Sequence, residues 1–257
     1  MTSRALNAGQ RIEYIGFMKV RAVVFDAYGT LFDVHSVALL AEQLFPGQGD
    51  RLSLLWRDKQ IEYTRLVTMS GEPDAHYRPF WELTRAALQF SAERLGLVLN
   101  ATAEDRLMNE YRHLSAFPEN RDVLAELKRR GVPTGILSNG NPEMLEVAVK
   151  SAGFADFLTH VLSVHPTRRF KTDPAAYALG PAAFGLPARE ILFVSSNCWD
   201  AIGATWFGYS TLWVNRSGAP LDRLDTAPTR TGRSLRDVLD CLPTKPAARP
   251  AAAPSSS

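Results

Sequence analysis

The stretch V-R-A-V-V-F-D-A-Y-G-T-L-F, Val20–Phe32, decides the fold. Its first half is mostly apolar and rich in β-branched side chains, a composition that suits a strand buried on both faces of a parallel sheet. The run ends in an acid, Asp26. Tyr28, Gly29 and Thr30 then break the pattern as a tight turn does. A carboxylate therefore stands at the C-terminal end of a buried strand, where open α/β sheets carry their ligands. A lone Asp there usually caps a turn. Here later stretches bring polar groups to the same edge, which favours chemistry.

Working outward, the pattern changes after Phe32. Val37, Leu40, Ala41 and Leu44 recur at helical spacing, as do Leu52, Leu55 and Trp56, then Phe80, Leu83, Ala87 and Phe90, then Leu107, Tyr111 and Leu114. Pro46-Gly47, Gly71 to Pro73 and Gly96 to Asn100 punctuate these runs. The spacing predicts a helical insert over residues 34–116, with Phe117-Pro118 marking the return. Alternation then resumes: a helix over Val123–Arg130, a strand over Pro133–Leu137, a helix capped by Asn141 with Pro142 first, and a strand at Val161–Val164. Asp173-Pro174 opens a helix carrying Tyr177. A strand at Ile191–Val194, a helix from about Asp200 and a last core strand at Leu212–Val214 follow. Strands alternating with helices predict an α/β protein: a Rossmann-like, doubly wound parallel sheet with an inserted helical cap. The core is expected over 18–33 and 117–242, the cap over 34–116.

Composition excludes several classes. The chain has 257 residues and a formal net charge of +2. Arg168-Arg169 is only a pair, so no basic block suggests nucleic acid or a membrane surface. No apolar run approaches spanning length. Cys198 and Cys241 make no disulfide framework, which fits a reducing cytoplasm. Residues 1–17 lack a signal peptide's apolar core, and Met18, where the folded pattern begins, is a candidate start. The segments 1–17 and 243–257, the latter rich in Pro and ending in Ser, are expected to be flexible tails.

Four strand ends supply candidate chemistry. The first gives Asp26 and Thr30. The second gives Ser138-Asn139-Gly140 before a helix, where free N–H groups suit an anion. The third segment gives Lys171, ahead of Tyr177. The fourth gives Ser195-Ser196-Asn197 and then Asp200. Singly, each has a bland reading: a turn, a solvated lysine, a helix cap. In this order, each at a strand end, they are an improbable accident.

These residues resemble the haloacid dehalogenase superfamily, and within it the L-2-haloacid dehalogenases. The matching stretches are F-D-A-Y-G-T-L-F-D-V at Phe25–Val34, L-W-R at Leu55–Arg57, I-L-S-N-G at Ile136–Gly140, Lys171 with Tyr177, and F-V-S-S-N-x-W-D-A at Phe193–Ala201. The similarity runs from about Lys19 to Arg216. One check rests on chemistry. Phosphatases of this superfamily carry a second Asp two residues after the nucleophile to protonate a poor leaving group, and acids that hold Mg²⁺. Here those places hold Tyr28 and the Ser195-Ser196-Asn197 run. A halide leaves without a proton, and a carboxylate substrate needs cationic and N–H donors rather than a metal.

The resemblance implies a hydrolase that converts short (S)-2-haloacids and haloacetates to (R)-2-hydroxyacids, with no cofactor and no metal. Asp26 would attack the carbon bearing halogen and form an aspartyl ester. Asp200 would activate the water that hydrolyses it. Lys171 would pair with both carboxylates and keep them ionised. Ser138 and Asn139 would receive the substrate carboxylate, Thr30 and Ser195 would fix the site, and Tyr177 and Asn197 would support Lys171 and Asp26. Arg57, with Asn139, would accept the halide. Tyr28 and Trp199 would line the substrate pocket. The alternative is a phosphatase of the same superfamily, and a third reading is a non-catalytic binding protein that kept the fold. A homodimer through the aromatic-rich insert is expected. His35, His76, His113, His160 and His165 lack metal-ligand spacing, and Cys198 reads as a packed thiol. Two departures from relatives stand out: Asp58 where Gln is frequent, and Thr172 where Pro is usual. The Gly71–Pro79 segment is longer than a simple helix connection requires.

Overall fold

The computed structural model describes residues 19–71 and 73–242. The expected tails, and Met18, lie outside them. A six-stranded, fully parallel sheet forms the base, in the order β3-β2-β1-β4-β5-β6. Its strands are β1 (Ala22–Phe25), β2 (Thr134–Ser138), β3 (His160–Ser163), β4 (Ile191–Ser195), β5 (Ser210–Val214) and β6 (Arg230–Gly232). β1, β2 and β4 are buried at every position, which is why their sequences run apolar without alternation. Val24 lies opposite Gly135 on one side and Phe193 on the other, so β1 is central.

The chain leaves β1 for β2 and β3 on one side, then crosses to β4 on the other. The crevice between the carboxyl ends of β1 and β4 is thus the switch point where doubly wound sheets bind ligands. Asp26 and Ser195–Asn197 flank it. The sixth strand departs from the sequence reading, which ended the core at β5. β6 is Arg-Thr-Gly on the sheet edge and half open to solvent, so it carries no apolar pattern to read. It is held by pairing Trp213 opposite Thr231.

Between β1 and β2 the chain makes α1 (Val37–Leu44), α2 (Gly49–Met69), the short α3 (Pro73–His76), α4 (Phe80–Arg94), α5 (Ala101–Arg112) and α6 (Asn120–Arg129). α2 buries Leu52, Trp56, Gln60 and Thr64 on one stripe and packs on α4. The Trp56 indole N–H donates to the Thr84 carbonyl at 2.7 Å and locks that pair. The apolar residues of these helices are continuous with those of the sheet through Tyr28, which lies 5.7 Å from both the Phe80 and Tyr111 rings.

After β2 come α7 (Pro142–Ser151), α8 (Pro174–Tyr177), α9 (Leu179–Phe184) and α10 (Cys198–Phe207). Asn141 precedes Pro142 as expected, but its side chain does not cap α7. Its Oδ1 accepts from the Trp81 backbone N–H at 2.9 Å, tying the start of α4 to the core. Asp173 does cap α8, accepting from the Ala175 N–H at 2.8 Å. Asp200 falls inside the first turn of α10 rather than ahead of it. Among the described residues no helix is long and apolar enough to cross a membrane.

Candidate active site

Asp26 leaves β1 with its N–H bonded to the Val194 carbonyl at 2.9 Å, so β4 fixes its backbone. The chain then turns sharply at Gly29, whose φ of +94° disfavours any side chain; a Cβ there would also meet the Asn197 amide at 3.4 Å. The turn brings Thr30 back over the acid. Its hydroxyl donates to Asp26 Oδ2 at 2.9 Å and accepts from the Ser196 N–H at 2.8 Å. Asn197 Nδ2 donates to the same Oδ2 at 2.9 Å. Ser195, fully buried, accepts from the Asn197 N–H through Oγ at 3.1 Å and holds that residue in place.

Lys171 Nζ lies 3.0 Å from Asp26 Oδ1 and 3.0 Å from Asp200 Oδ2. Asp200 Oδ1 accepts from the Tyr177 hydroxyl at 2.7 Å. Tyr177 therefore reaches Lys171 only through Asp200. Lys171 is 1% exposed, Asp26 6% and Asp200 0%, so one cation and two carboxylates share a site shielded from bulk solvent. Burial opposes the charge on Lys171, yet Asp200 and Asp26 together outweigh it and hold its pKa above the ordinary lysine value. Burial pushes Asp200 above the usual carboxylate range, against the pull of Lys171. Burial, then Asp200, also raise the Tyr177 phenol well above its usual value, so it remains a donor.

Ser138-Asn139-Gly140 lies between β2 and α7. Ser138 Oγ accepts from the Gly140 N–H at 3.1 Å, and Asn139 Oδ1 accepts from the Lys171 N–H at 2.9 Å. Asn139 is thus turned toward the lysine backbone. Gly140 sits where a Cβ would come within 2.8 Å of the Tyr28 ring, so only glycine lets the loop approach. Tyr28 is 4% exposed, and burial keeps its phenol protonated to well above the ordinary value.

From the insert, α2 presents Arg57. Its guanidinium donates to the Tyr28 carbonyl at 3.0 Å, to Asn197 Oδ1 at 3.3 Å and to Gln60 Oε1 at 2.7 Å. All three acceptors are neutral, so a permanently charged side chain stands one residue from Asp26 without a counter-ion among the described residues. Arg57, Asp58, Asn197 and Trp199 line a cleft of about 540 Å³ that opens to solvent. A larger apolar hollow, about 810 Å³ over Leu145, Val149 and Leu162, shares no residue with this cluster. Cys198 is half-buried, and burial pushes its thiol up, away from thiolate chemistry. Among the described residues no three His, Cys, Asp or Glu side chains are grouped to hold a metal ion.

Two residues, Gln60 and Arg216, have no role in the sequence reading, and a third has a different one. Gln60, fully buried, takes bonds from Arg57 and from the Tyr111 hydroxyl at 3.1 Å, while its own amide donates to Thr84 Oγ1 at 2.6 Å. Its one signal was a Gln on the apolar stripe of α2. Arg216 donates to Ser196 Oγ at 2.6 Å and the Thr30 carbonyl at 3.3 Å, and pairs with Glu119 at 3.0 Å. It buttresses the turn that aims Thr30. Asn141 is the third, read as a cap and found as a tie.

A family model described as haloacid dehalogenase-like hydrolase matches residues 20–208. The chain is 43% identical over 225 residues to the (S)-2-haloacid dehalogenase of Pseudomonas sp. (strain YL), covering 88% of this chain and 95% of that one. It is 60% identical to the L-2-haloacid dehalogenase RSc1362, whose crystal structure superposes with a TM-score of 0.84 over 86% of this chain and 97% of that one. A Xanthobacter autotrophicus L-2-haloacid dehalogenase, solved with chloropropionic acid covalently bound, is 37% identical with a TM-score of 0.78, over 85% and 96% of the two chains. With a strand-end carboxylate tied to lysine and a phenol where phosphatases carry their acid, the chain belongs to the haloacid dehalogenase-like hydrolases, in the L-2-haloacid dehalogenase branch.

Proposed function

We propose that the protein hydrolyses short (S)-2-haloacids, and haloacetates, to (R)-2-hydroxyacids and halide through an ester on Asp26. The observation that carries this reading is the Asp26 carboxylate, ion-paired to Lys171 at 3.0 Å, with the buried phenol of Tyr28 two residues on. A nucleophile is present, and the proton donor that a phosphate ester needs is not.

The hydrogen bonds assign the two oxygens of Asp26 different work. Oδ2 accepts from both Thr30 and Asn197, whereas among the described residues Oδ1 accepts from Lys171 alone. Oδ1 keeps the freer lone pair and attacks the halogen-bearing carbon. The carbon–halogen bond breaks from behind, the configuration inverts, and the halide departs toward the Arg57 guanidinium. Ser138 and the Asn139 backbone hold the substrate carboxylate, with Tyr28 and Trp199 against its side chain. Water then adds to the carboxyl carbon of Asp26, giving its proton to Asp200. Charge develops on Oδ2, where Thr30 and Asn197 already donate, so no reorganisation is needed. The tetrahedral intermediate collapses, the hydroxy acid leaves with the proton from Asp200, and the water's second proton, left on the Asp26 carboxyl, passes to solvent and restores the carboxylate. Lys171 remains charged throughout, oriented by Asp200 and Tyr177; Ser195 fixes Asn197.

The reading divides the chain into a core of residues 18–33 and 117–242 and a cap of 34–116 that closes Arg57 over the core. It also makes the protein a homodimer through the cap. Leu54, Leu66, Met69 and Val98, all on the insert, are each more than half exposed, and a partner's cap would cover them. Light scattering should give twice the 28.4 kDa chain mass; the chain mass itself at micromolar concentration would refute the dimer. The free thiols of Cys198 and Cys241 support a cytoplasmic home. Ion chromatography of halide released from fluoro-, chloro- and bromoacetate and both 2-chloropropionates tests the function, against 4-nitrophenyl phosphate with Mg²⁺. Halide from the S enantiomer, undiminished by EDTA, is expected; Mg²⁺-dependent phosphate release without halide would overturn it.

A further inference from the structure

The chemistry above leaves Arg65 unused. Arg57, Asp58, Ile61, Glu62 and Arg65 recur along α2 at i, i+1, i+4, i+5 and i+8, a single helix face, and that face forms one wall of the cleft. Asn197, Trp199 and Asp222 complete the lining. Arg65 lies about 12 Å further along the helix axis than Arg57. Glu62 is neutralised by Lys59 at 2.8 Å. Arg65 has no such partner: its guanidinium lies 5.3 Å from the centre of the Trp199 ring, and no carboxylate among the described residues is within ion-pair distance. An aromatic face orients a guanidinium without cancelling its charge. The cleft thus carries two arginines that form no ion pair among the described residues, Arg57 next to Asn197 and Arg65 two turns further along α2. Asp58 and Asp222 on the same walls limit how tightly an anion is retained.

We infer that Arg65 is an outer anion station, steering the haloacid carboxylate into the cleft toward Arg57. The inference rests on the proposed function for the identity of the anion. A charge at the cleft mouth acts on encounter rather than on the chemical step, and salt screens it.

The test compares Arg65→Gln and Arg65→Glu with Arg94→Glu, which makes the same charge change at an exposed arginine outside the cleft. With (S)-2-chloropropionate at low ionic strength, Arg65→Gln should lower kcat/KM about threefold and Arg65→Glu about tenfold, with kcat held and the loss gone at about 0.5 M salt. Arg94→Glu should change kcat/KM by less than about 1.5-fold, as a screened distant charge does. Equal losses for the two Glu variants, a loss seated in kcat, or a loss that salt does not erase would overturn the inference. A second arm needs no turnover. Iodide quenching of Trp199 fluorescence, isolated by subtracting Trp199→Phe, is compared with quenching by neutral acrylamide. Arg65→Gln should cut the iodide-to-acrylamide ratio about twofold, as loss of a local cation predicts. An unchanged ratio overturns the anion station even in an active enzyme. If the wild type releases no halide, the proposed function falls, and the iodide ratio still decides the role of Arg65.

Discussion

Two polar regions meet near Asp26, and they are built on opposite plans. On the sheet side, Lys171, Asp26, Asp200, Tyr177, Thr30 and Asn197 form a closed network in which every charge has a partner within about the length of one hydrogen bond. On the insert side, among the described residues, Arg57 donates to neutral oxygens and Arg65 lies against an aromatic ring, neither with an ion-pair partner. The closed network fixes geometry and shields its charges from bulk solvent. The open one leaves guanidinium groups without ion-pair partners, available to a mobile anion. A reaction that attacks with one anion and expels another needs both.

Asp26→Asn replaces the proposed nucleophile by an amide and should cost about 10⁴-fold or more in kcat, with the fold retained by circular dichroism. Activity within tenfold of wild type would remove Asp26 from the chemistry. Lys171→Met strands two buried carboxylates and should destabilise the protein by about 3–5 kcal/mol in urea unfolding as well as abolish turnover. A stable Lys171→Met protein would show that the network is not closed by that cation.

The network also predicts pH behaviour on both sides. Lys171 holds its proton more tightly folded than unfolded. Its contribution to stability is therefore complete below the ordinary lysine value of about 10.4 and is lost as pH rises through the higher folded value. Thermal midpoints should fall more steeply above about pH 10 in wild type than in Lys171→Met. Asp200 must be ionised to take a proton from water, and burial raises it. The acid limb of kcat should then lie above the ordinary carboxylate value of about 3.9. A limb at or below that value contradicts Asp200 as the base.

Effects on the insert side should be graded. Arg57→Lys keeps the charge but loses the planar fork that bonds Tyr28, Asn197 and Gln60 together, and should cost about 10–100-fold in halide release, by analogy with other oriented charge donors. Equal rates for Arg57→Lys and wild type would make Arg57 a plain point charge. At the small end, Asn141→Ala removes the bond from the Trp81 N–H and should cost about 1 kcal/mol. Since that bond joins α4 to the start of α7, a loss of kcat far beyond the loss of stability would mean that it gates the cleft.

Much of the closed network was legible in the sequence because its strands are. Buried parallel strands have continuous apolar runs, so their ends at Asp26, Ser138 and Ser195 could be found; Lys171, well past the end of β3, and Asp200, in the first turn of α10, lie off the strand ends where the sequence placed them. What the sequence hid follows from the same logic. β6 is an edge strand of Arg-Thr-Gly, with no buried face to impose a pattern. Gln60 acts through Tyr111 on another helix, and Arg216 through Glu119 and the Thr30 turn, so their meaning lies in pairings far apart along the chain. Asn141 had the right residue type for a cap, and tertiary contact with Trp81 took its side chain instead. Arg57 was marked by resemblance alone; nothing in an amphipathic helix distinguishes a half-buried arginine from a solvated one.

The central claim is that Asp26 attacks carbon and that water attacks Asp26. A single turnover of (S)-2-chloropropionate in H₂¹⁸O, with enzyme in excess, separates this from general-base hydrolysis. Covalent attack predicts unlabelled oxygen in the lactate, of R configuration, and ¹⁸O in the peptide that carries Asp26. Heavy oxygen in the first-turnover lactate, with none on the protein, would contradict the account and leave Asp26 a base.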